Sequence, residues 1–296
     1  MKILVTGSSG FIGTNLCGLL ESNGVEVVRI DIKHWPRCDA GLHYDLLPRM
    51  EGCDGVVHLA ANPGIHYSIA HPRESFEYNA GMTDNVLECA RELNVDRVVL
   101  ASSVGAPQCR NPYAASKVAL EALASAYTHS YGLNTVCLRF TNVYGPFSRE
   151  KPSVVATFLR AIEAGASPVI NGNGLQVRDF IYVADICDAI FLALNQDIEG
   201  HHVFEIGTGI GTTVMDLANT ICSIVGRVPF VTGGPVSSGE VDTSIARIDH
   251  AQRVLGFRSR VKLHAGIERT LAWWQNSHSR TDAGLVAKLT QQKGDA

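Results

Sequence analysis

Residues 5–13 read VTGSSGFIG, an apolar strand-like start that runs into glycines at 7, 10 and 13 and then into a segment of helical period. Each glycine answers a physical need of a strand-to-helix turn that receives phosphate. Gly7 permits the tight turn, Gly10 lets backbone approach a pyrophosphate, and Gly13 lets the helix pack close against the strand. The helix N-terminus then turns its unpaired N–H groups toward the anion. The spacing is GxxGxxG rather than GxGxxG, and among 28 glycines a triplet alone is weak, so its surroundings decide. Eighteen residues past Gly13, at the end of VEVVRID, stands Asp31. A carboxylate there accepts hydrogen bonds from both hydroxyls of an adenosine ribose and repels a 2′-phosphate, which favours NAD over NADP. Arg29, Lys33 and Arg37 nearby leave the phosphorylated cofactor open. Strand, loop, helix and acid in this order read as a dinucleotide site; a bare glycine turn is the alternative.

The flanking sequence extends the pattern. KILVTG, VEVVRID, GVVHLAA, RVVLASS and NTVCLRF are short runs rich in Val, Ile and Leu, separated by segments of helical period at 11–23, 75–94 and 113–131. Runs apolar at every position are strands buried on both faces, and their alternation with helices predicts βαβ units: an α/β, doubly wound parallel sheet over residues 1–145. Segments near 180–206 are expected to return to it. From 146 to 276 the rhythm loosens, with NGNG, IGTGIGT and GGPVSSGE set among helical segments at 153–165, 183–196 and 213–226. This reads as a smaller C-terminal, substrate-binding lobe, and 277–296 as a polar tail.

Composition excludes several functions. A net charge of −4 with no Lys/Arg run argues against a nucleic-acid or anionic-membrane partner. No apolar run reaches the ~18 residues of a membrane span, and the N-terminus lacks the layout of a signal peptide, so a cytoplasmic protein is expected. The eight cysteines are scattered, without a CxxC pair or a Cys/His cluster. They are expected as reduced, mostly buried thiols, with no metal site.

PQCRNPYAASK, residues 107–117, holds Tyr113 and Lys117 one helical turn apart. A tyrosine works as an acid/base near neutrality only if its pKa of about 10 is lowered, which a neighbouring ammonium would do. Such a pair also arises by chance and decides little alone.

In order along the chain, TGSSGFIG, Asp45-Leu46, HLAA (58–61), SS (102–103), YAASK (113–117), LRFTNVYGP (138–146) and RDFIYVADI (178–186) resemble the extended short-chain dehydrogenase/reductases. Within these the chain is similar to the NAD-dependent nucleotide-sugar epimerase/dehydratase family, over residues 1–275 or so. The resemblance implies a Rossmann domain whose NAD site includes Gly7, Gly10, Phe11, Ile12, Gly13, Asp31, Asp45, Leu46, Leu59, Ala60 and Ala61. It implies Tyr113 as catalytic acid/base, Lys117 as holder of the nicotinamide ribose, and Ser103 rather than Ser102 as the hydrogen-bonding partner of the reacting hydroxyl. Asn142 would contact the sugar nucleotide and Arg178 its diphosphate, and the family suggests a homodimer through helices near 80–94 and 113–131.

Dehydratases and decarboxylases of the family resemble one another in placing a carboxylate after the serines; here Val104-Gly105 follows. Unaided tyrosine chemistry remains, which implies 4-epimerisation of a UDP-sugar (glucose, N-acetylhexosamine or hexuronate type). A 4-ketoreductase and a non-catalytic NAD-binding scaffold stay as alternatives. Three departures stand out. The segment between Ser103 and Tyr113 is short and contains Cys109, read as a structural thiol. An arginine commonly preceding Gly239-Glu240 is missing. Arg247 stands where an aspartate is usual.

Overall fold

The computed structural model describes residues 1–33, 40–226, 230–234 and 242–276. The five expected strands form as β1 (Lys2–Thr6), β2 (Glu26–Ile30), β3 (Gly55–His58), β4 (Arg97–Ser103) and β5 (Thr135–Phe140), and a later segment returns as β6 (His201–Ile206). They lie in the order β6-β5-β4-β3-β1-β2, each neighbouring pair parallel. The faces are covered by α1 (Phe11–Ser22), α2 (Met82–Glu92), α3 (Pro112–Tyr131) and α4 (Val183–Asn195). The period of two along a strand divides the core. Ile3 and Val5 of β1 join Val57, Val99 and Leu138 beneath α1 and α4, whereas Leu4 joins Val56, Val98 and Leu100 beneath α2 and α3. Burying a leucine as fully as Leu20 or Leu87 contributes about 1.5–3 kcal/mol. The chain leaves β1 to opposite sides for β2 and β3, and the crevice beyond the strand ends at this reversal is where such sheets receive a ligand.

Local sequence explains where α3 begins and ends. The Asn111 side chain accepts from the Ala114 N–H at 2.9 Å, Pro112 occupies the first turn, and Gly132 ends the helix at φ 75°. Tyr113 therefore sits at a capped, fixed helix start. The segment expected as one helix over 75–94 is broken instead into Pro72–Phe76, a π turn at Glu77–Gly81, and α2. The wider turn buries Asn79, whose side chain accepts from the Asn62 N–H (2.8 Å) and donates to the Asn62 carbonyl (3.2 Å) and Ser116 Oγ (3.0 Å). The loop after β3 is thereby tied to α3. Nothing in the apolar period signals such a turn. A helix over His43–Met50, which the sequence reading left unassigned, packs Leu46 and Met50 into the core.

A separate core holds Tyr144, Phe158, Leu159, Leu217, Ile221, Ile267 and Trp274. It is formed by helices Val154–Glu163 and Val214–Val225 and by residues 263–276, which are helical. Its loops are held by Asp179, fully buried, which accepts from the Thr208 hydroxyl (2.6 Å) and from the N–H groups of Thr208, Gly209 and Ala246. The expected tail at 277–296, Arg37, Cys38 and the Gly239-Glu240 departure lie outside the described residues. Among the described residues no helix is long and apolar enough to cross a membrane.

One buried ionic network joins α3 to the sheet. Glu121, one turn beyond Lys117, receives both guanidinium arms of Arg139 on β5 (2.8 and 2.6 Å) and the Ser102 hydroxyl of β4 (2.5 Å). Its side chain is 10% exposed and that of Arg139 20%. Replacing Glu121 with Ala leaves a largely buried guanidinium unpaired and is expected to lower unfolding free energy by about 3–5 kcal/mol in a urea titration. A loss below about 1 kcal/mol would show that the network is ornamental.

Candidate active site

A cavity of about 780 Å³ opens at the reversal point of the sheet. It gathers most of the residues singled out in the sequence: Gly7, Gly10, Phe11, Ile12 and Gly13 from the first loop, Asp31 after β2, Leu59, Ala60 and Ala61 after β3, and Ser103, Tyr113 and Lys117. The glycines are there because side chains do not fit. Gly7 has φ +68°, and a Cβ on it would lie 2.8 Å from the Ala60 nitrogen; a methyl on Gly13 would strike the Gly7 carbonyl. Asp31 is held by the N–H groups of Ser9 and Lys33, both at 2.9 Å. Its two oxygens have lone pairs to spare for ribose hydroxyls. Of the cations that left NADP open, Arg29 is engaged by Glu21 at 2.8 Å and Lys33 lies on the cavity wall. This cradle fits a dinucleotide without a 2′-phosphate.

Ser103, Tyr113 and Lys117 meet at the β4–α3 end. Lys117 is buried and donates from Nζ to the Ala101 carbonyl at 2.8 Å, which leaves two donors for a ligand. Burial pulls it down to about 8, against the opposing pull of Cys137 and Glu121. Its Nζ stands 5.8 Å from the centre of the Tyr113 ring. Both serines reach the cavity, but the Ser102 hydroxyl is committed to Glu121. Ser103 Oγ instead accepts from the Gly105 N–H at 3.2 Å and keeps its own proton for another acceptor. The structure thereby separates the two serines by the single proton each hydroxyl owns.

One electrostatic expectation is corrected. Lys117 does not lower Tyr113 in the chain by itself; burial pushes the phenol up to about 12. Desolvation of the anion outweighs a lysine that is itself desolvated and nearly 6 Å away. In protein stripped of nicotinamide cofactor, Tyr113 therefore stays protonated well above the ordinary value of about 10. The tyrosinate absorbance of wild type minus Tyr113→Phe is expected to show no step between pH 7 and about pH 11; a step near pH 10 would contradict the burial argument.

Several residues fall elsewhere. Asp45 and Leu46 lie on helix His43–Met50, where Leu46 is core and the Asp45 carbonyl accepts from Arg49. Asn142 bonds the Asp179 carbonyl through its N–H (3.0 Å) and its side chain (3.4 Å). Arg178 donates to the Val177 carbonyl at 3.0 Å and the Asp242 carbonyl at 3.3 Å. None of these four lines the cavity. Arg247 is exposed beside Glu205. Of residues 104–112 none lines the cavity either. Cys109 is exposed, at φ 46°, with its thiol 3.5 Å from the Ala106 carbonyl. The other described cysteines are buried free thiols.

Sequence reasoning missed a second wall: Thr141 and Val143 after β5, then Phe147, Glu150, Lys151 and Pro152. GPFSREKP carries no periodicity, so only the fold shows that it turns back over the cavity. The Thr141 hydroxyl is buried there with no hydrogen-bond partner among the described residues.

A dinucleotide cradle continuous with a Ser–Tyr–Lys end is the arrangement of a nicotinamide-dependent enzyme. The profile of the NAD dependent epimerase/dehydratase family matches residues 3–207, and the chain belongs to that family, with NAD as its cofactor. A putative UDP-glucose 4-epimerase of Methanocaldococcus jannaschii is 30% identical, over 93% of this chain and 99% of that protein. A UDP-glucose 4-epimerase of Mycolicibacterium smegmatis is also 30% identical, over 93% and 99%. Among solved structures, MoeE5 in complex with UDP-glucuronic acid and NAD superposes with a TM-score of 0.88 at 31% identity, covering 94% of this chain and 100% of that one.

Proposed function

We propose that this chain is an NAD-dependent UDP-sugar 4-epimerase. The observation that carries the proposal is the convergence of Ser103, Tyr113 and Lys117 on the same cavity as the glycine loop and Asp31. The names of its relatives support the reaction type. Bound NAD supplies the acceptor, and then the donor, of the hydride at sugar C4. Ser103 hydrogen-bonds the C4 oxygen. Tyr113 takes the C4 hydroxyl proton as the alcohol becomes a ketone and returns it after the keto sugar has turned over in the site. Lys117 uses its two remaining donors to hold the nicotinamide ribose and places a positive charge beside the Tyr113 ring. No extra acid/base follows the serines: among the described residues the lining carboxylates are Asp31, committed to the cradle, and Glu150, which is exposed. This favours epimerisation over loss of water.

The core around Tyr144, Phe158 and Ile221 is read as the lobe that carries the sugar nucleotide, with residues 1–145 and 180–206 as the NAD domain. A homodimer through α2 and α3 and a cytoplasmic location complete the proposal. The free thiols fit a reducing compartment. Asp45, Leu46, Asn142 and Arg178 are given no part in it.

Purified protein is expected to interconvert C4 epimers of at least one of UDP-glucose, UDP-N-acetylglucosamine and UDP-glucuronate without added cofactor. Consumption of NAD(P)H by a keto sugar instead would identify a reductase, and inertness toward all three would favour a scaffold. Tyr113→Phe is expected to lose about 10²–10⁴-fold in kcat with bound NAD retained; full activity in this variant would sink the mechanism.

A further inference from the structure

The missed wall contains a charge without a counter-charge. Lys151 lines the cavity, and its Nζ has two contacts: the Val143 carbonyl at a long 3.4 Å and the face of the Phe11 ring, 5.2 Å from its centre. No carboxylate among the described residues lies within the 4.0 Å of an ion pair, adjacent Glu150 included, although it lines the same cavity. An ammonium has three donors, and a partly buried one with a single weak acceptor is costly unless an anion completes it. Burial pulls Lys151 down to about 8. By contrast, Arg149 in the same segment is paired with Glu163.

Position narrows the anion. Val143, to which Nζ is tethered, follows Phe140 by three residues, a span of at most ~10 Å, and Phe140 is the strand partner of Ser103. The ammonium thus stands between the glycine loop, whose Phe11 ring it faces, and the reacting end of the cavity. β2, which delivers Asp31 to the adenosine end, lies four strand spacings from β5, or ~19 Å. Near the carbon whose hydroxyl Ser103 and Tyr113 address, the anionic substituent available on a sugar is a carboxylate at C6.

We propose that Lys151 is a specificity-determining residue that receives the C6 carboxylate of a nucleotide hexuronate, so that the preferred substrate is a UDP-hexuronate rather than a neutral UDP-hexose. This rests on the 4-epimerase reading above. The binding of UDP-glucuronic acid by MoeE5 is compatible with it.

The test compares kcat/KM for UDP-glucuronate and UDP-glucose in NAD-loaded wild type, Lys151→Met and Lys151→Arg, with bound NAD quantified after each purification. Wild type is expected to favour UDP-glucuronate. In Lys151→Met the ratio of the two kcat/KM values should fall about 10- to 100-fold, as loss of a hydrogen bond to a charged group predicts, and Lys151→Arg should restore most of it. Titration of both nucleotides into wild-type holoenzyme reads the same preference if the methionine variant does not fold. An unchanged ratio with both substrates impaired would assign Lys151 to the substrate diphosphate, and selective loss of bound NAD would assign it to the cofactor pyrophosphate; either overturns the proposal and leaves the epimerase standing. Wild type inert toward both but active on UDP-N-acetylglucosamine would overturn this proposal alone, and inertness toward all three would overturn the two together.

Discussion

The carboxylate of Glu121 is the point at which α3, the helix that carries Tyr113 and Lys117, meets the sheet. It takes the Arg139 guanidinium from β5 and the Ser102 hydroxyl from β4, while Lys117, one turn earlier, reaches the Ala101 carbonyl of the same strand. Four groups from three elements therefore set how far Tyr113 can stand from Ser103. A helix packed only by Leu120 and Ala124 could slide by a fraction of an ångström at little cost. Hydrogen bonds weaken steeply with distance and angle and do not allow it. Asn79 adds the third wall by fastening the loop after β3 to Ser116 of the same helix.

Charge in the cavity follows a simple balance. Lys117 and Lys151 are both desolvated enough to fall to about 8, and neither is given a carboxylate partner of its own at the ammonium. Lys117 is eased by Glu121 through the helix, and Lys151 by no charge at all. His58, buried at the end of β3 with Nδ1 on the Thr6 hydroxyl at 2.7 Å, is held neutral by burial and by Lys117, down to about 3. Tyr113 is held neutral as well. A surface that keeps two ammonium groups short of partners, and the phenol uncharged, is matched to anionic ligands.

How much was legible depends on whether a residue's role is written locally. The dinucleotide loop could be read because turn, helix start and close packing each demand glycine at a fixed spacing, and the acid follows one strand later. Tyr113 and Lys117 were legible as one helical turn, although the direction of the Tyr113 shift was not, since desolvation belongs to the assembled cavity. Asp45 and Leu46 lie on a helix that packs Leu46 into the core, a setting that only the assembled fold displays. The π turn at Glu77–Gly81 and the inward Asn79 left no mark in the apolar period.

Alternation of all-apolar runs with helical segments, together with the glycine triplet and Asp31, determined the sheet and the cofactor, because these depend on contacts between residues close in the chain. Only the tertiary structure decided which serine keeps a free proton and that Lys151 joins the cavity wall. Those facts depend on distances between segments far apart in sequence, and such distances are fixed by packing and by the competition for single hydrogen-bond donors.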